Sequence, residues 1–384
     1  MSAVPAVALG LGPRIALVRS RYDPYGGAER FVQGAVASLR AEGATLTIVT
    51  RSWPGHDGSA ILLDPFHLGS AWRDRSFARA ACAELSRRHF DLVQSHERIE
   101  CCDVFRAGDG VHAEWLAQRA RVQPAWRRWA TAANPYHRQI LAFERRLLTG
   151  TRVRAVICIS RMVRDDIVRH YGTAADKLSV IYNGVDARHF HPGLRAELGA
   201  DARQQLSIPR DAFVAVFVGS GFERKGVPVL LEAVARAGAP VWAVIVGKDK
   251  HARRYVERAR RLGIAGRVRF VGAASDARPY YAAADCFAMP TLYEPLSNAV
   301  LEAMACGLPV LVSQRCGAAE LVREGESGYV RDALDTAGWA AALAGLDRER
   351  ARGMGERARA AVVGLTPEAM AREYVDLYRR LLRK

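Results

Sequence analysis

The 384 residues are half apolar and one quarter charged, too many for one ordinary core and enough to fill two. With 56 Lys and Arg against 40 Asp and Glu, the formal net charge of +16 predicts an anionic partner: nucleic acid, a membrane surface or a phosphorylated substrate. No apolar run reaches the roughly 20 residues that a bilayer span needs, so any membrane contact is expected to be peripheral.

The start, MSAVPAVALGLGPR, is apolar but has no basic flank and runs straight into RIALV, so it reads as a loose leader before a first strand. Short β-branched runs then alternate with helical patterns: RIALV, AERFVQGAVASLRAEG, TLTIVT, and later DLVQS and RAVICIS. That order predicts a parallel sheet with crossover helices. The stretch VIYNGVDARHFHPG carries the turn Asn183-Gly184 and Pro192 with little periodicity, which sets a linker near residues 184–210.

A second series begins after Pro209 with FVAVFVG, then PVLLEAVARAG, WAVIVG, a basic helix near His251 to Leu262, VRFVG, CFAMP, NAVLEAMACG and PVLVS. The fold class expected is α/β: two Rossmann-like domains, residues 1–185 and 186–365. The last helix, 366–384, opens with Thr366 as N-cap and Pro367 at the first helical position, where its missing N–H costs nothing. Its expected place is back on the first domain.

The seven cysteines, Cys82, Cys101, Cys102, Cys158, Cys286, Cys306 and Cys316, include no Cys-x-x-Cys pair. They read as reduced, mostly buried thiols, and adjacent Cys101 and Cys102 as packing residues rather than a redox switch.

Two segments carry chemistry. VFVGSGFERKGV follows a strand and almost spells two phosphate-binding signatures, but Arg224 stands where either pattern needs a glycine. In YEPLSNAVLEAMACGLPVLVS, Pro295 closes a turn and Ser297 or Asn298 starts a helix, whose free N–H groups suit an anion. Glu302, one turn inside that helix, is suited to ribose hydroxyls, and Glu294 in the preceding loop to a sugar. An ordinary amphipathic helix with two surface glutamates is the plainer alternative.

Glu294-x7-Glu302 followed by AMACGLPV, with YGGAER near the start and the loop GSGFERKG, resembles the retaining family-4 glycosyltransferases of GT-B fold. The combination GSGFERKGV, VGKDK, AAAD and CGAAELV most resembles the lipopolysaccharide core glucosyltransferases within it. The resemblance implies two domains facing each other across a cleft. It implies that Arg224 and Lys225 bind the diphosphate of a nucleotide sugar, that Glu302 binds its ribose, and that Glu294 lies at the donor sugar. Gly219, Leu296, Ser297 and Asn298 complete the implied donor site.

In the first half, Gly26 and Gly27 of YDPYGGAER are expected to approach donor phosphate or acceptor, and Asp109 and His112 of FRAGDGVHAEW to stand near the reacting sugar. An ordinary turn and an ordinary loop histidine are the alternatives. The following segment combines Trp115, Trp126 and Trp129 with Arg119, Arg121, Arg127 and Arg128, a pairing suited to an anionic membrane interface. Tryptophans in the core with arginines in water is the alternative.

The expected activity is therefore retaining transfer of a hexose, from UDP-glucose or a similar donor, to a lipid-linked glycan such as lipopolysaccharide core. No metal is expected, since Asp-x-Asp is absent from the sequence, and no cofactor beyond the donor substrate. The expected location is cytoplasmic, at the inner face of a bacterial inner membrane. A sugar-nucleotide epimerase shares the donor, and a nucleic-acid-binding protein would explain the charge but not the glutamates.

Overall fold

The computed structural model describes residues 12–21, 44–53, 60–238 and 240–383. In the first half the strands are β1 Arg14–Val18, β2 Thr45–Thr50, β3 Ala60–Leu62, β4 Leu92–Ser95, β5 Val104–Ala107, β6 Ala155–Cys158 and β7 Leu178–Val180. In the second they are β8 Phe213–Val218, β9 Val241–Val246, β10 Val268–Gly272, β11 Cys286–Met289, β12 Val310–Ser313 and β13 Gly328–Arg331. They form two sheets, ordered β3-β2-β1-β4-β5-β6-β7 and β10-β9-β8-β11-β12-β13. The pairings are parallel, as β1 on β2 and on β4, and β8 on β9 and on β11.

Both faces of each sheet are covered, which is why the strands read as continuous apolar runs. In β1, Ala16 and Val18 face one core, while Ile15 and Leu17 face another. That second core is closed by the helix Pro367–Leu382, through Met370, Tyr374, Tyr378 and Leu381. Thr366 caps the helix, its hydroxyl accepting from Ala369 N at 3.1 Å, and Pro367 occupies the first turn. The last helix of the chain thus completes the first domain.

The chain crosses between domains twice, after β7 and before Thr366, and the crossings touch where Val185 N donates to Leu365 O at 2.7 Å. The stretch read as linker contains a helix, Leu194–Gln205, which packs on the helix Arg278–Ala283. Its buried positions are Leu194, Gly199 and Ala202, a face too small and too weakly apolar to show as periodicity.

One expectation about cysteine is corrected. Cys82, on the helix Gly69–Ser86, is disulfide-bonded to Cys101, with Cα atoms 5.6 Å apart across 19 residues of sequence. The remaining five cysteines are buried free thiols. Among the described residues, no helix is long and apolar enough to cross a membrane.

Candidate functional site

In each sheet the strand order reverses beside the first strand of its domain, at β1/β4 and β8/β11. Loops leaving neighbouring strands there diverge and open a crevice at their carboxyl ends. The two crevices face each other across a cavity of about 430 Å³. Arg19, His96 and Glu97 enter it after β1 and β4, and Gly219 and Lys225 after β8. The segment Glu294 to Glu302 enters after β11. A second hollow, of about 530 Å³ and rimmed by Arg253, Arg254 and Arg261, lies beyond the loop of residues 223–226.

On the C-terminal wall, Phe222 is buried and anchors the basic loop. Gly226 has φ +80°, and a Cβ there would come within 1.8 Å of Pro290 O, so only glycine lets the loop lie against the exit of β11. Lys225 runs across Gly219, and its Nζ is 3.0 Å from Glu294 Oε2. Arg224 Nη1 is 3.1 Å from the same oxygen and donates to Tyr293 O at 3.0 Å. Burial alone would raise the Glu294 pKa, but Lys225 and then Arg224 more than offset it and hold the carboxyl below its ordinary range. The basic pair is thus organised by an internal carboxylate.

Leu296 is fully buried beneath the cavity. Ser297 has φ +74° and ψ +101°, a strained conformation for a residue with a side chain. Its hydroxyl makes no capping bond to the helix Asn298–Ala305; it donates instead toward Met289 Sδ at 3.6 Å. The start of that helix therefore faces the cavity with first-turn N–H groups that Ser297 does not cap. Asn298 Oδ1 accepts from Asn183 Nδ2 at 2.7 Å, and Glu302 Oε2 from the Tyr281 hydroxyl at 2.9 Å.

Apart from Asp109, the N-terminal wall is made of groups that sequence reasoning did not single out as site residues. Arg106, inside β5 and 4% exposed, donates to the Tyr374 hydroxyl at 2.9 Å and to Asn183 Oδ1 at 2.7 Å. His96 lies 3.0 Å from Arg19 Nη1 and 3.1 Å from Gln94 Nε2. Its burial, then the charges of Arg106 and Arg19, push its pKa well down, so the ring is neutral. Glu97 Oε1 accepts from both Ser20 N and Ser20 Oγ at 2.9 Å. The available signal was position: Arg19 follows the end of β1, and His96 that of β4.

Asp109 lines the cavity with its side chain 83% exposed, 4.0 Å from Arg98 Nη1. His112 does not line it. The His112 ring turns to His137, Nε2 to Nδ1 3.0 Å, and burial, partly countered by Glu144, lowers its pKa to about 4. Gly26 and Gly27 lie outside the described residues. Among the described residues, no group of three or more His, Cys, Asp or Glu is placed to hold a metal ion.

Residues 212–348 match the family described as Glycosyl transferases group 1, and residues 25–189 match Glycosyltransferase Family 4. The chain belongs to these glycosyltransferases. The chain is 37% identical over 179 residues to the lipopolysaccharide core biosynthesis glycosyltransferase LpsE of Rhizobium meliloti (strain 1021), an alignment covering 46% of the chain and 52% of the relative. The chain thus spans about half the length of that relative. It is 25% identical over 323 residues to the lipopolysaccharide glucosyltransferase WaaG of Escherichia coli (strain K12), covering 82% of the chain and 84% of WaaG.

The crystal structure of WaaG superposes with a TM-score of 0.79 at 23% identity, covering 94% of this chain and 99% of WaaG. That of Anabaena HepE with UDP-glucose superposes at 0.72 and 20% identity, covering 96% and 100%. These likenesses show the fold, two Rossmann-like domains in the GT-B arrangement.

Proposed function

We propose that the protein transfers a hexose from a nucleoside diphosphate sugar, UDP-glucose or a similar donor, to a lipid-linked glycan such as lipopolysaccharide core, with retention of configuration. The observation that carries this reading is the cluster of Arg224, Lys225 and Glu294 beside the start of the Asn298–Ala305 helix, inside the cavity between the domains. An arriving diphosphate takes over the basic pair from Glu294 and caps the helix. As the glycosidic bond breaks, charge grows on the leaving phosphate, where Arg224 and Lys225 stabilise it. Glu302 takes the ribose hydroxyls, and Glu294, once shared with the phosphate, faces the sugar. The acceptor hydroxyl enters from the N-terminal wall near Asp109, on the face the phosphate leaves, and that phosphate takes its proton.

Support for the donor comes from the relatives, WaaG being named a glucosyltransferase and the HepE structure holding UDP-glucose. The test is a screen of nucleotide sugars against truncated lipopolysaccharide, with binding followed by calorimetry. Glu302→Ala should weaken nucleotide binding, and Glu294→Gln should mainly slow turnover. If both bind and turn over like wild type, the donor assignment is wrong. Release of an epimerised free sugar without acceptor would replace transfer by epimerisation.

The acceptor implies a cytoplasmic protein working at an anionic membrane surface. The helix Ala125–Ala133 buries none of its residues, and Trp126 and Trp129 are 65% and 76% exposed. Arg127 lies over the Trp126 ring at 4.9 Å. Arg127→Gln with Arg128→Gln should cost about 1 kcal/mol per charge in binding to anionic vesicles. Undiminished sedimentation with those vesicles would move the membrane contact elsewhere.

A further inference from the structure

Domain closure in this molecule is held by ion pairs and hydrogen bonds of unequal depth. Arg121 and Asp332 pair across the domains at 2.8 Å, but both are about one third exposed, and such pairs are weak. Glu320 accepts from Arg161 N and Met162 N at the start of the helix Arg161–Tyr171, and Ser160 Oγ donates to Pro295 O at 2.7 Å. The deep contact is Arg315, in the turn after β12. Its Nη2 reaches Asp166 at 2.8 and 2.6 Å and Glu114 at 3.0 Å. Asp166 is fully buried, Glu114 6% exposed and Arg315 18% exposed at the side chain.

The same turn holds the donor loop. Glu294 N donates to Arg315 O at 2.9 Å, and Gly317 N donates to Glu294 O at 2.8 Å, so Glu294 is laid against residues 315–317 as in a parallel ladder. Its neighbour Tyr293 donates to Asp166 Oδ2 at 3.2 Å and accepts from Val111 N at 2.9 Å, with the Arg315 guanidinium 5.6 Å from the ring centre. Both residues that fix Glu294 are therefore gripped by one carboxylate of the opposite domain.

The two acids also have cationic partners within their own domain. When Arg315 withdraws, Asp166 keeps Arg169 at 2.9 Å, and Glu114 keeps Arg169 at 3.1 Å and His170 at 2.8 Å. Neither acid is left as a lone buried charge. Closure has a cost of its own, because Arg315 Nε is buried with no hydrogen-bond partner. A buried pair with local substitutes on one side and an unmet donor on the other is suited to two states of similar free energy.

We propose that Arg315 is a positioning residue: its docking on Asp166 and Glu114 couples closure of the two domains to the placement of Glu294 beside Arg224 and Lys225. The part of this that concerns turnover rests on the donor assignment above; the part that concerns closure does not.

The experiment compares wild type with Arg315→Met, which keeps an unbranched apolar stem and removes the charge, and with Arg315→Lys. Small-angle scattering without ligand should give a larger radius of gyration for Arg315→Met, at an unfolding midpoint close to wild type. With nucleotide sugar and acceptor, kcat should fall about tenfold while UDP affinity changes little, and Arg315→Lys should recover part of both effects. Asp166→Asn, which keeps the volume, is read in the same way should Arg315→Met fail to fold. A compact Arg315→Met, or an open one with wild-type kcat, overturns the coupling. If wild type turns over no nucleotide sugar, the donor assignment fails, and the scattering alone still decides whether Arg315 holds the domains closed.

Discussion

The two walls of the cleft solve the same problem, holding polar groups in a half-buried place, in opposite ways. On the C-terminal wall Arg224 and Lys225 are satisfied by one carboxylate, Glu294, brought to them by the loop after β11 of their own domain. On the N-terminal wall Arg106 is satisfied by the hydroxyl of Tyr374, from the last helix, and by Asn183 at the domain crossing. Gln94, beside His96, is likewise held by Tyr378. A carboxylate partner can be traded for a phosphate as it arrives, because both carry negative charge. A tyrosine rooted in a core cannot, so under the proposed donor reading one wall exchanges its partner and the other keeps its shape.

Substitutions at the roots of the two walls should separate these behaviours. The largest effect is expected for Tyr374→Ala, which removes a 1% exposed ring and the Arg106 hydrogen bond together. Stability should drop by about 3 to 5 kcal/mol in denaturant unfolding, and a loss below about 1 kcal/mol would show that the helix does not root the wall. On the exchanging wall, Lys225→Ala should leave stability nearly intact and weaken UDP binding by about 1.5 to 3 kcal/mol. Unchanged affinity in calorimetry would remove Lys225 from the phosphate site.

Smaller again is Ser297→Gly, which should relieve the strain at φ +74° and raise stability by about 1 kcal/mol. A loss of stability would mean that the hydroxyl matters more than the backbone. A further prediction concerns pH, at a histidine that stands outside the cavity. Native His112 stays neutral down to about pH 4, whereas the unfolded chain takes up the proton near 6.5. Stability should therefore fall as pH drops from 6.5 toward 4, and His112→Gln should flatten that slope. Equal slopes in the two proteins would assign the loss to other groups.

The exchanging wall was legible in the sequence because its parts are short segments with fixed internal spacing. Glu294, Ser297 and Glu302 are ordered by one turn and one helix, and Arg224 and Lys225 by one glycine loop. The rigid wall was not legible, since Arg19, His96, Arg106 and Asn183 meet only when β1 lies beside β4 and the last helix returns to cover the sheet. Periodicity gives strands without their order. For the same reason Cys82 and Cys101 looked unrelated until a helix and a loop brought them together. His112 is a different case: expected near the reacting sugar or as an ordinary loop histidine, it opens the helix His112–Ala120 and its ring turns toward His137.

The position of the last helix also bears on how the protein is made. Tyr374 meets Arg106 across 268 residues of sequence, and Tyr378 meets Gln94 across 284. The sheet of the first domain is synthesised early, but the apolar face holding Ile15, Leu17 and Val104 stays uncovered until the final 16-residue helix leaves the ribosome. Meanwhile the second domain, whose strands and helices all lie within one stretch of chain, can fold first. The nascent first domain therefore carries an exposed sticky sheet for most of translation, which makes truncation near residue 366 an aggregation hazard and gives chaperones a surface to hold.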